Sequence, residues 1–262
     1  MNFDLSGKTA VVTGSTGGIG YAVAHELAAA GARVVVNGRT EKSVQTAVDT
    51  LRQDGGQVQG VAADVSTAEG CARLVTAVPV VDILVNNAGI FEPRDFFDIS
   101  DEDWLRFFQA NVMSGVRLAR AWMRGMLERN WGRIVFISSE SGIHIPKEMI
   151  QYGVTKTAQL GVSRGLAELT AGTGVTVNAV LPGPTRSAGV ERFLQSMADQ
   201  QHTSVDAMAA EFVRQHRPTS LLQRFATVQE VANMVVYACS REASATNGAA
   251  LRVDGGVVRT IT

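Results

Sequence analysis

The chain has 262 residues, 45% of them hydrophobic and 19% charged, which suits one large α/β domain with ample apolar material for a core. A formal charge of −1 excludes a global pull toward nucleic acid or acidic membranes, and no apolar run reaches the ~18 residues of a membrane span. Cys71 and Cys239 lack metal-ligand or C-x-x-C spacing, His25, His202 and His216 show no ligand spacing either, and the polar start Met1–Lys8 is too short for a signal peptide, so a cytoplasmic protein without a metal site is expected.

Lys8–Thr13 is a short β-branched run ending in the turn Gly14-Ser15-Thr16-Gly17-Gly18-Ile19-Gly20. A helical pattern follows, with Ile19, Val23 and Leu27 on one face, closed by Gly31. Glycines at 14, 18 and 20 allow a tight turn and let a pyrophosphate approach the helix N-terminus, so the turn is read as a dinucleotide site. Arg33–Asn37 is a second strand. Its end carries Arg39 and no acid before Glu41, which suits the 2′-phosphate of NADP(H) better than the 2′-hydroxyl of NAD(H). A helix over 41–54, a strand over 58–62 and Asp64-Val65 come next. Asp64 is read as meeting the adenine amino group, as capping the next helix at Ser66/Thr67, or as doing both. Val81–Val85 is a fully apolar strand of the kind buried in a parallel sheet, and it breaks at Asn86-Asn87-Ala88-Gly89, where small residues let a cofactor lie close. The alternation of strand and helix predicts a doubly wound parallel sheet.

Ser100–Asp103 reads as a helix cap with an acidic first turn, opening a helix that runs to about residue 130 and carries Asn111 in its middle. A mid-helix asparagine marks a kink, a bound water or a satisfied structural amide. Arg133–Ser138 is a strand with Ser139 at its carboxyl end, the edge where open α/β sheets bind ligands. A helix over 150–171 places Tyr152 and Lys156 on one face. An ammonium beside a phenol favours the phenolate, so the tyrosine is expected to ionise below its ordinary ~10, as an acid or base at an alcohol or ketone oxygen requires. Val175–Leu181 is another strand, broken by Pro182-Gly183-Pro184-Thr185. Two amphipathic helices follow, one with Val190, Phe193, Leu194 and Met197, the other with Val205, Met208, Ala209, Phe212 and Val213. They either close over a substrate or form a static layer. Ile143, His144, Ile145, Met149 and Phe91 are expected on the opposite wall, and the methionines and phenylalanines favour an apolar substrate. Thr227-x-x-Glu230 is a capping box opening the last helix, and 249–253 is the last strand.

Gly14/Gly18/Gly20, Asn86–Gly89, Asn111, Ser139, Tyr152/Lys156, Pro182-Gly183 and the terminal Arg252–Gly256 together resemble the short-chain dehydrogenase/reductase family over nearly the whole chain. The resemblance implies a single Rossmann-like domain, 1–262, with about seven strands: a nucleotide half (1–90), a catalytic half (91–185), a helical substrate lid (186–218) and a C-terminal helix and strand (219–262). It implies Tyr152 as general acid/base, Ser139 orienting the carbonyl, Lys156 holding the nicotinamide ribose and Asn111 supporting a water in a proton relay. Cofactor contacts would come from Gly14, Ser15, Thr16, Gly18, Ile19, Gly20, Arg39, Asp64, Val65, Asn87, Ala88, Gly89, Tyr152, Lys156, Pro182, Gly183 and Thr185. The family position before the second glycine, basic in many NADP(H) members, is Gly17 here, so the NADP(H) expectation rests on Arg39. Positions where carrier-protein reductases hold arginines align with Asn130 and Thr173. The expected function is NADPH-dependent reduction of a small ketone in a homotetramer or homodimer. The alternatives are a 3-oxoacyl thioester reductase, an NAD-dependent secondary-alcohol dehydrogenase and a non-catalytic dinucleotide sensor.

Overall fold

The computed structural model describes residues 3–261. Among these residues nine strands form: β1 (Thr9–Val12), β2 (Arg33–Gly38), β3 (Val58–Ala62), β4 (Ile83–Asn86), β5 (Gly132–Ile137), β6 (Val175–Pro182), the two-residue β7 (Thr185–Arg186) and β8 (Ala226–Thr227), and β9 (Ala250–Val253). Nine α-helices alternate with them: α1 (Gly18–Ala29), α2 (Glu41–Gln53), α3 (Ala68–Ala77), α4 (Asp101–Phe108), α5 (Ser114–Glu128), α6 (Ile150–Glu168), α7 (Ala188–Gln200), α8 (Val205–His216) and α9 (Val228–Cys239). Seven strands make one parallel sheet in the order β3-β2-β1-β4-β5-β6-β9. This is the Rossmann-like α/β architecture the strand–helix alternation predicts.

The sheet is buried on both faces, which is why its strands are apolar without alternation. Val12, Val34, Val36 and Val85 pack with Val23 and Leu27 of α1, Val48 of α2 and Val231 and Val235 of α9. Val11, Val35 and Leu84 point the other way, against Leu74 of α3 and Leu118, Trp122 and Met126 of α5. Strand order reverses at β1 and β4, and a crevice opens there at the carboxyl ends of the strands. The segment after β7 has its own small core of Leu194, Ala198, Met208, Ala209, Val213 and Phe225.

Element bounds match the sequence reading to within a few residues, with two differences. The helix expected over 101–130 is interrupted: α4 stops at Phe108, and Gln109–Met113 forms a π-helical turn before α5 begins. Asn111 sits in that turn, so its side chain marks a break in the helical ladder. The parallel pair β7–β8 was not expected, because two-residue strands carry no readable period. It joins the end of β6 to the capping box at Thr227, which is present as the sequence predicts. Among the described residues, no helix is long and apolar enough to cross a membrane.

Gly115 of α5 sets how closely that helix approaches the sheet. A Cβ there would lie 2.6 Å from Phe136 Cε1 and 3.2 Å from Asn86 Cγ. Alanine gains about 1 kcal/mol of helix propensity over glycine, whereas overpacking a closed core costs about 1–3 kcal/mol, and Phe136 is fully buried. Gly115→Ala is therefore expected to lower stability by about 1 kcal/mol in urea unfolding, with packing outweighing propensity. A more stable variant would show that Phe136 can yield.

Candidate active site

The turn after β1 is held from beneath and left bare above. Gly14 and Gly18 have φ of 60° and 58°, in the left-handed region. A Cβ on Gly20 would fall 2.4 Å from Asn87 Nδ2 and 2.5 Å from the Gly14 carbonyl. Beneath the turn, Gly14 N–H donates to Asn37 Oδ1 (3.3 Å), and Asn37 N–H donates to Ser15 Oγ (3.0 Å). Asn37 Nδ2 donates to the carbonyls of Val61 and Ala63. Thr13 Oγ1 accepts from the N–H groups of Asn87 and Ala88, and Asn87 Nδ2 donates back to the carbonyls of Thr13 and Gly14. Asn37 and Thr13 are thus builders of this site that the glycine spacing does not announce. Ser15 is buried and spends its hydroxyl on the Val12 carbonyl, so it supports the turn from inside.

A cleft of about 680 Å³ runs from this turn across the strand ends. It brings together Gly18, Ile19, Gly20, Asn87, Gly89, Ser139, Tyr152, Lys156, Pro182, Gly183 and Thr185, all expected site residues. Gly14, Ser15, Thr16, Arg39, Asp64, Val65, Ala88 and Asn111 do not line it. Arg39 is exposed just beyond β2, next to Gly38, whose Cα faces Thr16 so closely that a Cβ would meet Thr16 Cγ2 at 2.5 Å. Asp64 Oδ1 accepts from Ser66 N–H and Oγ, ahead of Thr67, which is the residue that caps α3. The Val65 side chain is buried in the core. His144 and the isoleucines at 143 and 145 are exposed and lie outside the cleft lining, because the segment after Gly142 turns outward. Phe91 and Met149 do line it, facing Val190, Phe193, Met197 and Phe212 from α7 and α8.

Lys156 is buried at the centre of the catalytic group. Its Nζ donates to the Ile137 carbonyl at the end of β5 (2.8 Å) and to Gln159 Oε1 one turn on (3.2 Å). Gln159 Nε2 donates in turn to the Asn111 carbonyl (2.6 Å). Gln159 thus links Asn111 to Lys156. The Asn111 side chain is fully used: Oδ1 accepts from Ile90 N–H, and Nδ2 donates to the Ile90 carbonyl and Thr155 Oγ1. Gln159 carries no motif signal and was missed.

Tyr152 stands on the same face of α6, with Lys156 Nζ 5.5 Å from its ring centroid and Phe91 edge-on at 6.4 Å. Its ionisation departs from the sequence expectation. Burial pushes the phenol above its ordinary value, and the negative charge of Glu140 adds to this. The neighbouring Ser139 hydroxyl and the positive charge of Arg217 oppose it. The physical reason for the reversal is that burial also pushes the Lys156 amine down, to about 7, so the neighbour expected to draw out the phenolate is itself losing charge. The chain's own residues favour a protonated Tyr152. Ser139 lies in an extended conformation at the end of β5 and caps the 3-10 turn Glu140–Gly142 through Ser141 N–H. That turn is pressed on α6: a Cβ on Gly142 would stand 3.0 Å from the Lys156 carbonyl carbon. Gly183 is pinned likewise, with a Cβ there 2.7 Å from the Asp254 carbonyl beyond β9.

A family model described as short chain dehydrogenase matches residues 8–198. The chain is 49% identical over 263 residues to the uncharacterized oxidoreductase YvaG of Bacillus subtilis (strain 168), covering 100% of both chains. It is 34% identical over 258 residues to the 3-oxoacyl-(acyl-carrier-protein) reductase FabG of Escherichia coli (strain K12), covering 98% of this chain and 99% of that one. Among solved structures, L-sorbose reductase from Gluconobacter frateurii, complexed with NADPH and L-sorbose, matches with a TM-score of 0.94 at 33% identity over 100% of both chains.

The depressed Lys156 amine makes a stability prediction. Its ordinary value is 10.5 and its folded value about 7, so between these the unfolded chain holds a proton that the folded chain does not. Stability is greatest above the upper value and is lost as pH falls toward the lower, by on the order of 4 kcal/mol. Lys156→Met removes this slope. In urea unfolding at about pH 7 and about pH 10, the wild type should gain on the variant as pH rises. Parallel behaviour of the two would mean the amine is not held in the depressed state.

Proposed function

The chain belongs to the short-chain dehydrogenase family, and we propose that it is an NADPH-dependent reductase of a small ketone, giving a secondary alcohol. The observation that carries this reading is the single cleft in which a bare glycine turn, Ser139, Tyr152 and Lys156 meet at the carboxyl ends of the sheet.

The residues present fit a nicotinamide nucleotide. The Gly17 cap of α1 offers no side chain to the helix's first N–H groups, leaving them for a pyrophosphate. Gly18, at positive φ, has only Ser187 within 4 Å of where a Cβ would be, so the approach is open. Arg39 and Thr16 stand at the end of β2, where an adenosine 2′-phosphate would be met. Lys156 and Thr185 would flank the nicotinamide end. When bound, such a cofactor supplies the hydride.

Tyr152 then gives its phenolic proton to the carbonyl oxygen, and burial holds that proton in place until it is needed. Ser139 lies within reach of the same oxygen, and Lys156 keeps Tyr152 and the ribose site in register through its bonds to Ile137 and Gln159. The lid 186–218 contributes Val190, Phe193, Met197 and Phe212 to the cleft and excludes water from one side. A free ketone suits the site better than a carrier-bound thioester, because the positions where the resemblance implies arginines hold Asn130 and Thr173, and Asn130 is tied inward to Gly174 N–H.

The test is titration of the protein with NADPH and NADH by fluorescence, followed by NADPH oxidation with L-sorbose, ethyl acetoacetate and acetophenone. Tighter NADPH binding with turnover of one ketone is expected, and absence of turnover with all three would overturn the reading. Tyr152→Phe should lower turnover by about 10²–10⁴-fold while NADPH still binds. Retained turnover would remove Tyr152 from the acid role. Arg39→Asp should reverse the cofactor preference toward NADH. An unchanged affinity ratio would remove Arg39 from the 2′-phosphate site.

A further inference from the structure

A charged pair lies inside the cleft wall that the reductase reading does not use. Glu140 directly follows Ser139, and its side chain is only 5% exposed. Ser139 Oγ donates to Glu140 Oε2 (2.5 Å), and Arg217 Nε donates to Glu140 Oε1 (2.8 Å). Arg217 comes from the end of α8, seventy-seven residues away in sequence, and its own side chain is 10% exposed. Its Nη1 donates to the His216 carbonyl (2.7 Å) and stands 3.6 Å from Glu148 Oε1. Both Glu140 and Arg217 line the cleft beside Tyr152.

A serine hydroxyl has one proton and two acceptor positions. Here the proton goes to Glu140, and one acceptor position takes Ser141 N–H (3.1 Å). The bonds therefore run from Ser139 to Glu140 and end on a carboxylate held by Arg217, beside Tyr152 in the cleft wall. We infer that Glu140 and Arg217 are positioning residues for the proposed reaction: Glu140 fixes the rotamer of the Ser139 hydroxyl beside Tyr152, and Arg217 ties that arrangement to the docked end of α8. The substrate segment thereby supplies a charge to the catalytic group as well as an apolar wall. This rests on the reductase reading of the site.

The pair faces Tyr152 with opposite charges, which gives it a signature that simple structural support would lack. The charged or titratable groups around the phenol are Lys156 on α6, Glu140 on the Ser139 turn, Glu148 before α6, and His216 and Arg217 at the end of α8. Removing the negative charge of Glu140 eases ionisation of the phenol, and removing the positive charge of Arg217 hinders it. In alcohol oxidation Tyr152 acts as a base, so kcat/KM rises with pH through its midpoint.

The experiment measures that midpoint with NADP+ and whichever of D-sorbitol, ethyl 3-hydroxybutanoate and 1-phenylethanol the wild type oxidises fastest. Glu140→Gln should move the midpoint down by about one pH unit and Arg217→Gln up by a similar amount. The double variant, which strands neither charge, should return to within about a third of a unit of the wild type. NADPH affinity, read by fluorescence, should stay within about threefold in every variant, since neither residue lies at the glycine turn. If Arg217→Gln does not fold, Arg217→Lys carries the test, keeping the midpoint while lowering kcat. Midpoints of Glu140→Gln and Arg217→Gln that move together, or do not move, in proteins that still bind NADPH would overturn the inference alone, as would an Arg217→Lys variant with kcat unchanged where it stands in for Arg217→Gln. A wild type that oxidises none of the alcohols and reduces none of the ketones would overturn the reductase reading, and this inference with it.

Discussion

Burying a primary amine is costly unless protein oxygens replace the water it gives up, and much of the catalytic half is arranged around meeting that demand at Lys156. The Ile137 carbonyl is available because β5 ends there. Gln159 supplies the second oxygen from one turn further along α6, and a buried glutamine amide needs its own acceptor. That acceptor is the carbonyl of Asn111, which lies in the π-helical turn, where the regular helical ladder is interrupted. One ammonium thus fixes the end of a strand, the phase of α6 and the break between α4 and α5. Asn111 extends the same frame toward the cofactor edge by gripping both main-chain groups of Ile90. The catalytic helix is held by polar contacts on this side, and by small residues where Gly142 lets the Ser139 turn lie against it.

A second constraint acts on the nucleotide side, and it is steric. The strand ends converge so tightly that no side chain fits at several points. Gly20 is closed by Asn87 and the Gly14 carbonyl, and Gly183 by the chain beyond β9. Asn37 and Thr13 hold the bare turn by spending their polar groups on neighbouring backbone. Because these amides and hydroxyls are paired within the protein, the main-chain N–H groups at the start of α1 remain for a ligand. The two constraints meet at Gly89, where a Cβ would stand 3.2 Å from Asn111 Oδ1 and 3.6 Å from Lys156 Nζ.

Most of the fold was legible because its signals are local. Apolar runs such as Val81–Val85 and Val175–Leu181 read as buried parallel strands, and the glycine turn, the Ser100 and Thr227 caps and the Tyr152/Lys156 spacing lie within a few residues of themselves. What stayed hidden depends on partners far apart in the chain. Gln159 resembles any helical glutamine until Asn111 is placed beside it. Glu140 and Arg217 resemble surface charges until α8 folds back over the Ser139 turn. The direction of the Tyr152 shift was misjudged for a related reason. Spacing gives the neighbour's identity but not its burial, and here burial outweighs the neighbour and discharges it. His144 was placed on the cleft wall by proximity in sequence, yet the chain turns outward after Gly142 and His216 lines the cleft instead.

The site divides its work between two kinds of support. The groups that handle the proton stand on or directly after strands and helices of the sheet domain, where two packed faces leave little freedom. The groups that would meet the substrate's carbon skeleton come largely from α7 and α8, which pack on a small core of their own. Changes in Phe193, Met197 or Phe212 could therefore reshape the pocket without disturbing Lys156 or the glycine turn. Arg217 is the exception to this separation. It is carried by the substrate segment, yet its guanidinium ends on the residue next to Ser139. A buried pair of this kind is poor value as a source of stability, because both charges must leave water. Its placement is better explained by what it orients: the Ser139 hydroxyl, where the end of α8 meets the catalytic group.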